Sequence, residues 1–419
     1  MDNEQRGRVA EIVSRYRRGR TSRRNALRLL GLLGLGGVVG RAIAEDRVIA
    51  QDQMSPMPTG TMTMPDMEKM GTPAIGPQID GTTVWKVQVG GMDMESGIDM
   101  HAFFPGEVTI NAGDSVLWAF APMGMPGFHT VTFMSGAANP PIFIPDIVEG
   151  TPVASPEGPP RLLINPLIAF WDGRAVYDGT GTANSGLDVL KAPDDMAYAL
   201  EFPTPGTYDY QCAAHADVMT GRVIVQEAGA GLPNDIAGYE AVAQQEMADV
   251  LAEGTKALAD ATAATPMAAD GTAWDVSAGA GGLSQARVMR YIPAEVRIKV
   301  GDTVRWTNGT TGEPHTVTFL GGTEQPANTL LETQTSGPPK YIQNYQTFLP
   351  MGEKAFDGTG YRNSGFLGVP PEIGQAFGLL GDSYELTFTK AGWYPYYCVL
   401  HAGGQDDAQG MTGTVVVHE

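Results

Sequence analysis

The sequence predicts an all-β chain in which two tandem β-sandwich domains are joined by an amphipathic helical linker. Three observations carry that expectation: an internal duplication, period-two apolar runs inside each copy, and one stretch of helical periodicity between the copies. At 419 residues the chain has room for two cores and two tails.

Taken in order, residues 1–44 come first. Ten arginines there against Asp2, Glu4 and Glu11 give +7, so the remaining residues carry −27 within a total of −20. Ser22-Arg23-Arg24-Asn25-Ala26-Leu27-Arg28 precedes an apolar, Gly-rich run from Leu29 to Val39, and Ala42-Ile43-Ala44 fits a small-residue cleavage site. This is the layout of a secretion signal with adjacent arginines of the twin-arginine kind. The run is shorter than the roughly 20 apolar residues of a membrane span. An exported protein, periplasmic or extracellular, with no transmembrane span in the mature chain is therefore expected; the alternative is a short basic helix kept as an anchor. The acidic remainder argues against nucleic-acid binding, which needs a basic footprint. It fits either a solvated surface or an encounter with a basic partner.

Residues 45–79 form a Pro- and Thr-rich flexible segment with Met54, Met57, Met62, Met64, Met67 and Met70. The copies follow at 80–227 and 270–419. Pro105-Gly106-Glu107-Val108 pairs with Pro293-Ala294-Glu295-Val296, and His-Thr-Val-Thr-Phe is identical at 129–133 and 315–319. Asp178-Gly179-Thr180-Gly181 and Asn184-Ser185-Gly186 match Asp357-Gly358-Thr359-Gly360 and Asn363-Ser364-Gly365. The offset is 186 at the first His, 179 at the Asn-Ser-Gly block and 186 again at the Cys, so loop lengths differ while the frame returns to register.

Runs such as Val296-Arg297-Ile298-Lys299-Val300 alternate apolar and polar residues between Gly-Asp and Pro-Gly turns, as antiparallel sandwich strands do. The Pro- and Gly-rich stretches 136–176 and 322–356 read as insertions, either lids or packing that covers an edge. In the linker, 228–269, Ile236, Tyr239, Ala243, Met247, Val250 and Leu258 recur at helical spacing, with Asn234 as the expected N-cap.

Each copy carries four residue types in one order: His129, Cys212, His215 and Met219, then His315, Cys398, His401 and Met411. A thiolate, two imidazoles and a weak thioether are the ligands of a blue-copper electron-transfer site, because soft sulfur suits Cu(I) and imidazole suits either oxidation state. Two type 1 coppers per chain are expected. A disulfide between the only two cysteines is the alternative, but it would require matched positions of two copies to meet within about 7 Å. Three residues separate His215 from Met219, whereas nine separate His401 from Met411. Gln405 or Gln409 thus stands as an alternative axial donor in the second copy. Met411 is preferred because Met-Thr-Gly repeats.

In its Tyr-x-x-x-Cys-x-x-His-x(n)-Met-x-Gly ending the sequence resembles the cupredoxins, the family of plastocyanin and pseudoazurin, over both copies. The resemblance implies Greek-key sandwiches with copper near one end of each. Two-domain cupredoxins also include nitrite reductases and laccases, which need further histidines for a catalytic copper. Of six histidines here, only His101 and His418 are left over, and no His-x-His occurs. An electron carrier rather than an enzyme is expected. The rival is copper storage or delivery through the Met-rich segment, helped by Met92, Met94, Met100 and His101. The electron port is expected at an exposed His215, ringed by Met123, Met125, Pro126, Phe128, Ala213 and Ala214. The corresponding region of the second copy has Val399 and Leu400 but also Glu313 and Asp406, so the two ports meet different partners or one faces the other domain.

Overall fold

Alternation sets the strands. Val84–Asp93 turns Val87 and Val89 inward, Ser115–Phe120 does so with Val116, Trp118 and Phe120, and Thr303–Thr310 repeats the pattern with Val304 and Trp306. The computed structural model describes residues 82–120, 127–148, 151–153, 161–191, 196–264, 273–369, 379 and 381–419. The signal reading of 1–44 and the Met-rich reading of 45–79 lie outside the described residues. Among those described, no helix is long and apolar enough to cross a membrane.

Each half has two layers. In the first, Ala197–Glu201, Ser115–Phe120, Val84–Asp93 and Ile98–Phe104 face a second layer that includes Thr132–Phe133, Gly206–Gln211, Thr220–Gln226 and Glu107–Asn111. Between the layers Trp118 meets Phe133 and Tyr210 edge-on, at ring-centroid distances of 5.7 and 5.2 Å. Trp306 meets Phe319 and Tyr396 in the same way in the second half, at 5.8 and 5.3 Å. The sheets are mixed rather than purely antiparallel. Ser115–Phe120 runs parallel to Val84–Asp93, and Glu107–Asn111 parallel to Thr220–Gln226, with the same pattern in the second half. The cause is the crossing at Glu107–Asn111: a chain that returns through the other layer re-enters its sheet in the original direction.

The halves are joined by more than the linker. Ile98–Phe104 pairs antiparallel with Ala286–Ile292, setting Met100 opposite Ala286 and Ile98 opposite Val288, so one layer of each half fuses into a nine-stranded sheet. The insertions also meet. Leu162–Ile164 of one half pairs with Lys340–Gln343 of the other, Leu163 opposite Ile342. Beside that junction Arg161 bridges Asp146 and Glu332, at 3.1 and 2.9 Å, and Lys340 reaches Asp146 at 2.7 Å. These stretches pack the halves together.

The helix Ile236–Ala264 lies along the seam, packing Ala243, Met247, Val250 and Leu258 against Ile98, Phe104, Val288 and Ile292. Its apolar period breaks at Gly254, where a Cβ would come within 2.5 Å of the Ile98 side chain; the missing side chain lets the helix lie close. The capping side chain is Asp235, not Asn234. Its carboxylate accepts the Gly238 N–H at 2.8 Å, at the third helical residue, where an N-cap acceptor belongs.

Candidate metal centres

The identical His-Thr-Val-Thr-Phe blocks place the first histidine of each set. Thr132–Phe133 pairs with Ala183–Asn184 and meets the end of the Cys strand at Gln211, so His129 leaves the sheet beside Cys212. The threonines fix the junction. The Thr130 N–H points at Cys212 Sγ (3.4 Å), and the Thr130 hydroxyl accepts the Ala213 N–H (2.8 Å) and bonds Thr132 Oγ1 (2.8 Å). In the second half Thr316 does the same toward Cys398 (3.3 Å) and Val399 (2.9 Å). Behind them, Ser185 and Ser364 each accept a Val N–H at 2.8 Å, and Asn184 and Asn363 each accept a Thr hydroxyl at 2.9 Å. The sequence marked these residues only as repeated; in the structure they fix the backbone beside His129 and Cys212, and beside His315 and Cys398.

Three donors of each set converge. In the first half, His129 Nδ1 lies 3.2 Å from His215 Nδ1, and Cys212 Sγ lies 4.0 and 3.5 Å from those two atoms. In the second, His315 Nδ1 is 3.1 Å from His401 Nδ1, and Cys398 Sγ is 3.3 Å from the latter. Both cysteines are free and buried. Met219 and Met411 are fully buried in the same cores. Each donates its N–H to the second histidine's carbonyl at 2.8 Å, and its own carbonyl accepts the Cys N–H, at 2.9 and 3.0 Å. Gln409 is exposed and Gln405 half-buried. One thiolate and two imidazoles form a donor set that suits copper. The first histidine of each set also rests against bare backbone: a Cβ on Gly90 or Gly279 would come within 2.5 Å of Nε2 of His129 or His315.

Charge is organised around the sulfurs. Burial opposes ionisation of both thiols, but the second histidine's charge and hydrogen bonds from both histidines hold Cys212 and Cys398 well below the ordinary thiol range. Burial likewise opposes protonation of His215 and His401, yet the thiolates and Glu313 lift His215 well above its usual value and His401 to about 10.

The exposed port does not exist as expected. His215 is only 5 % exposed, with His101 of its own half stacked on the ring and Glu313 of the second half against its Nε2. Glu313 Oε2 lies 3.3 Å from His215 Nε2, and Glu313 Oε1 lies 3.0 Å from His401 Nε2, so one carboxylate stands between the two sets. Burial pushes that carboxyl up, but the two histidines' hydrogen bonds and charges hold it well below its ordinary range. Phe128 and Ala213, expected to ring the port, pack in a core with Ile168 and Leu187; Met123, Met125 and Pro126 lie outside the described residues. His101, left over in the sequence count, stacks on His215 at 4.0 Å and contacts Asp99 at 3.2 Å. Burial and the neighbouring His215 charge push its imidazole down to about 4, so it stays neutral. Met100 packs in the seam. Neither Glu313 as a bridge nor His101 as a neighbour has a local sequence signal: the first depends on the pairing of the halves, and the second on packing between residues more than 100 positions apart.

No family model matches the chain, and no curated protein matches it. Among solved structures it is similar to amicyanins. A methionine-to-glutamine mutant of amicyanin with Cu(I) is 20% identical, covering 38% of this chain and 89% of that one with a TM-score of 0.18. The amicyanin of Paracoccus versutus (Thiobacillus versutus) is 22% identical, covering 38% and 88% with a TM-score of 0.18.

Proposed function

We propose that this is an exported electron-transfer protein with two cupredoxin domains, 80–227 and 270–419, each a Greek-key sandwich holding one type 1 copper. His129, Cys212, His215 and Met219 hold the first ion, and His315, Cys398, His401 and Met411 the second. The observation that carries the reading is the twofold convergence of a buried thiolate and two Nδ1 atoms, with the sulfur facing a backbone N–H, in sets whose nitrogens approach to 3.2 and 3.1 Å. Bound copper supplies one-electron redox chemistry there. The chain's own part is rigidity: threonine, serine and asparagine side chains tie each ligand strand in place, so little has to move when the oxidation state changes. The histidine count supports a carrier over a nitrite reductase or a laccase, and the acidic body supports a basic redox partner. For Met411, burial and backbone placement matching Met219 support the axial role.

The test is metal analysis with visible absorption on the copper-loaded mature protein. Two coppers per chain and an intense thiolate-to-copper band are expected; a colourless protein would overturn the reading. Copper held mainly by residues 45–79 and lost on their deletion would favour storage or delivery instead.

A further inference from the structure

The two donor sets share one side chain. His215 and His401 each turn Nδ1 toward their own cysteine, at 3.5 and 3.3 Å, which leaves both Nε2 atoms aimed at Glu313. A histidine bound to metal through Nδ1 keeps its proton on Nε2, so both rings are then donors, and an ionised carboxylate is an acceptor only, with one oxygen for each. Glu313 is 7 % exposed, so water competes little for these bonds. The two contacts are unequal: that to His401 is a formed hydrogen bond, whereas that to His215 is longer and less well aligned. The first half could not supply an equivalent residue. Its matching position is Gly127, where a Cβ would lie 2.3 Å from His129 Nε2.

Outer partners of metal-bound histidines fix the tautomer and ring orientation, and losing one typically weakens metal binding by about 10–100-fold. Here a single partner serves two centres. We infer that Glu313 links the centres thermodynamically, so that metal bound in either half tightens metal binding in the other. Metal in the second half fixes the His401 ring and, through it, Glu313, whose free oxygen is then set for the His215 N–H. Linkage makes the effect reciprocal, with the same factor in both directions. The inference rests on the proposed occupancy of both donor sets. A different use of this region, a third ion held by His101, His215 and Glu313, has ligand atoms within 4.8 Å of one another. His101 would offer Nδ1, which has no partner while Nε2 faces Asp99, but the ion is disfavoured because His215, with Nδ1 turned to Cys212, would have to give up its Nε2 proton, and because the two rings stack at an interplanar angle of 26°.

The experiment is a Co(II) titration of the metal-free full chain, following the cobalt–thiolate absorption. The single-site affinities come from Cys398→Ser and Cys212→Ser, and the two-metal constant from the unmodified protein. The expected two-metal constant exceeds the product of the single-site constants by about tenfold. Glu313→Gln should bring this ratio to about one, because an amide accepts from one ring and turns its NH₂ toward the other's donor. Glu313→Asp, too short to reach both rings, should lower the ratio too, which guards against one variant failing to fold. A ratio of one in the unmodified protein, or a ratio unchanged by both substitutions, overturns the link. So does a third equivalent of Co(II) lost in His101→Phe, since Glu313 is then a ligand. If both sites take Co(II) with a ratio of one, the link falls and the proposed function stands; if the copper-loaded protein shows no blue band, the proposed function falls regardless of the ratio.

Discussion

The two loops from the second histidine to the methionine differ in length and agree in geometry. Three residues lie between His215 and Met219 and nine between His401 and Met411, yet each Met N–H meets its histidine carbonyl at 2.8 Å. The surplus is stored outside the frame. Asp407 closes it on itself, accepting N–H bonds from Gly403 at 2.8 Å and Gln409 at 3.0 Å. The comparison teaches that the ligand frame is set by the strands that carry Cys and Met and by the Thr, Ser and Asn scaffold behind them, not by the length of chain between the ligands.

The strongest way to break this equivalence is to delete one sulfur at a time. Cys212→Ser and Cys398→Ser should each abolish one copper and its blue band while leaving the other, as read by metal analysis and visible absorption; loss of both bands from either change would show that the halves are not separate centres. A smaller effect is expected from Thr130→Val and Thr316→Val. The first leaves the buried Ala213 N–H and the second the half-buried Val399 N–H without its acceptor, which costs up to about 1–3 kcal/mol in denaturant unfolding, and similar costs in the two halves would show that the scaffold serves both alike. Asp407→Ala removes exposed turn bonds only, so a loss of about 0.5–1.5 kcal/mol is expected, with the second blue band unchanged. Deleting residues 404–409, which leaves three residues between His401 and Met411, should likewise leave the second band unchanged. If that deletion bleaches the site, loop length matters after all.

Much of the centre was legible in the sequence. The order His, Cys, His and the repeated His-Thr-Val-Thr-Phe and Asn-Ser-Gly blocks marked residues that meet, because donor chemistry and local turns leave short-range signatures; for Met219 and Met411 the structure gives burial and backbone bonds. The seam was not legible. Ile98–Phe104 is buried along its whole length, Asp99 and His101 included, so it lacks the alternation that reveals which face a strand covers. Its partner lies more than 180 residues away, and one sequence carries no periodic trace of such a pairing. The exposed port at His215 failed for that reason, since His101 on that strand stacks on the ring and Glu313 of the other half closes over it. Asn234 lost the cap to Asp235 by one position, a margin that propensity does not resolve.

The seam also bears on where the chain came from. Ile98–Phe104 and Ala286–Ile292 are matched strands, each ending just before the corresponding proline, Pro105 or Pro293, and they meet antiparallel. Like pairing with like in opposite directions is the contact of a twofold homodimer. The chain therefore has the form of such a dimer whose subunits were fused, with Ile236–Ala264 as the splice. Either half expressed alone would present a bare strand edge, and such an edge recruits another copy of itself. Covalent linkage makes that partner permanent, and it lets one half carry Glu313 where the other carries Gly127, a difference that no true homodimer can sustain.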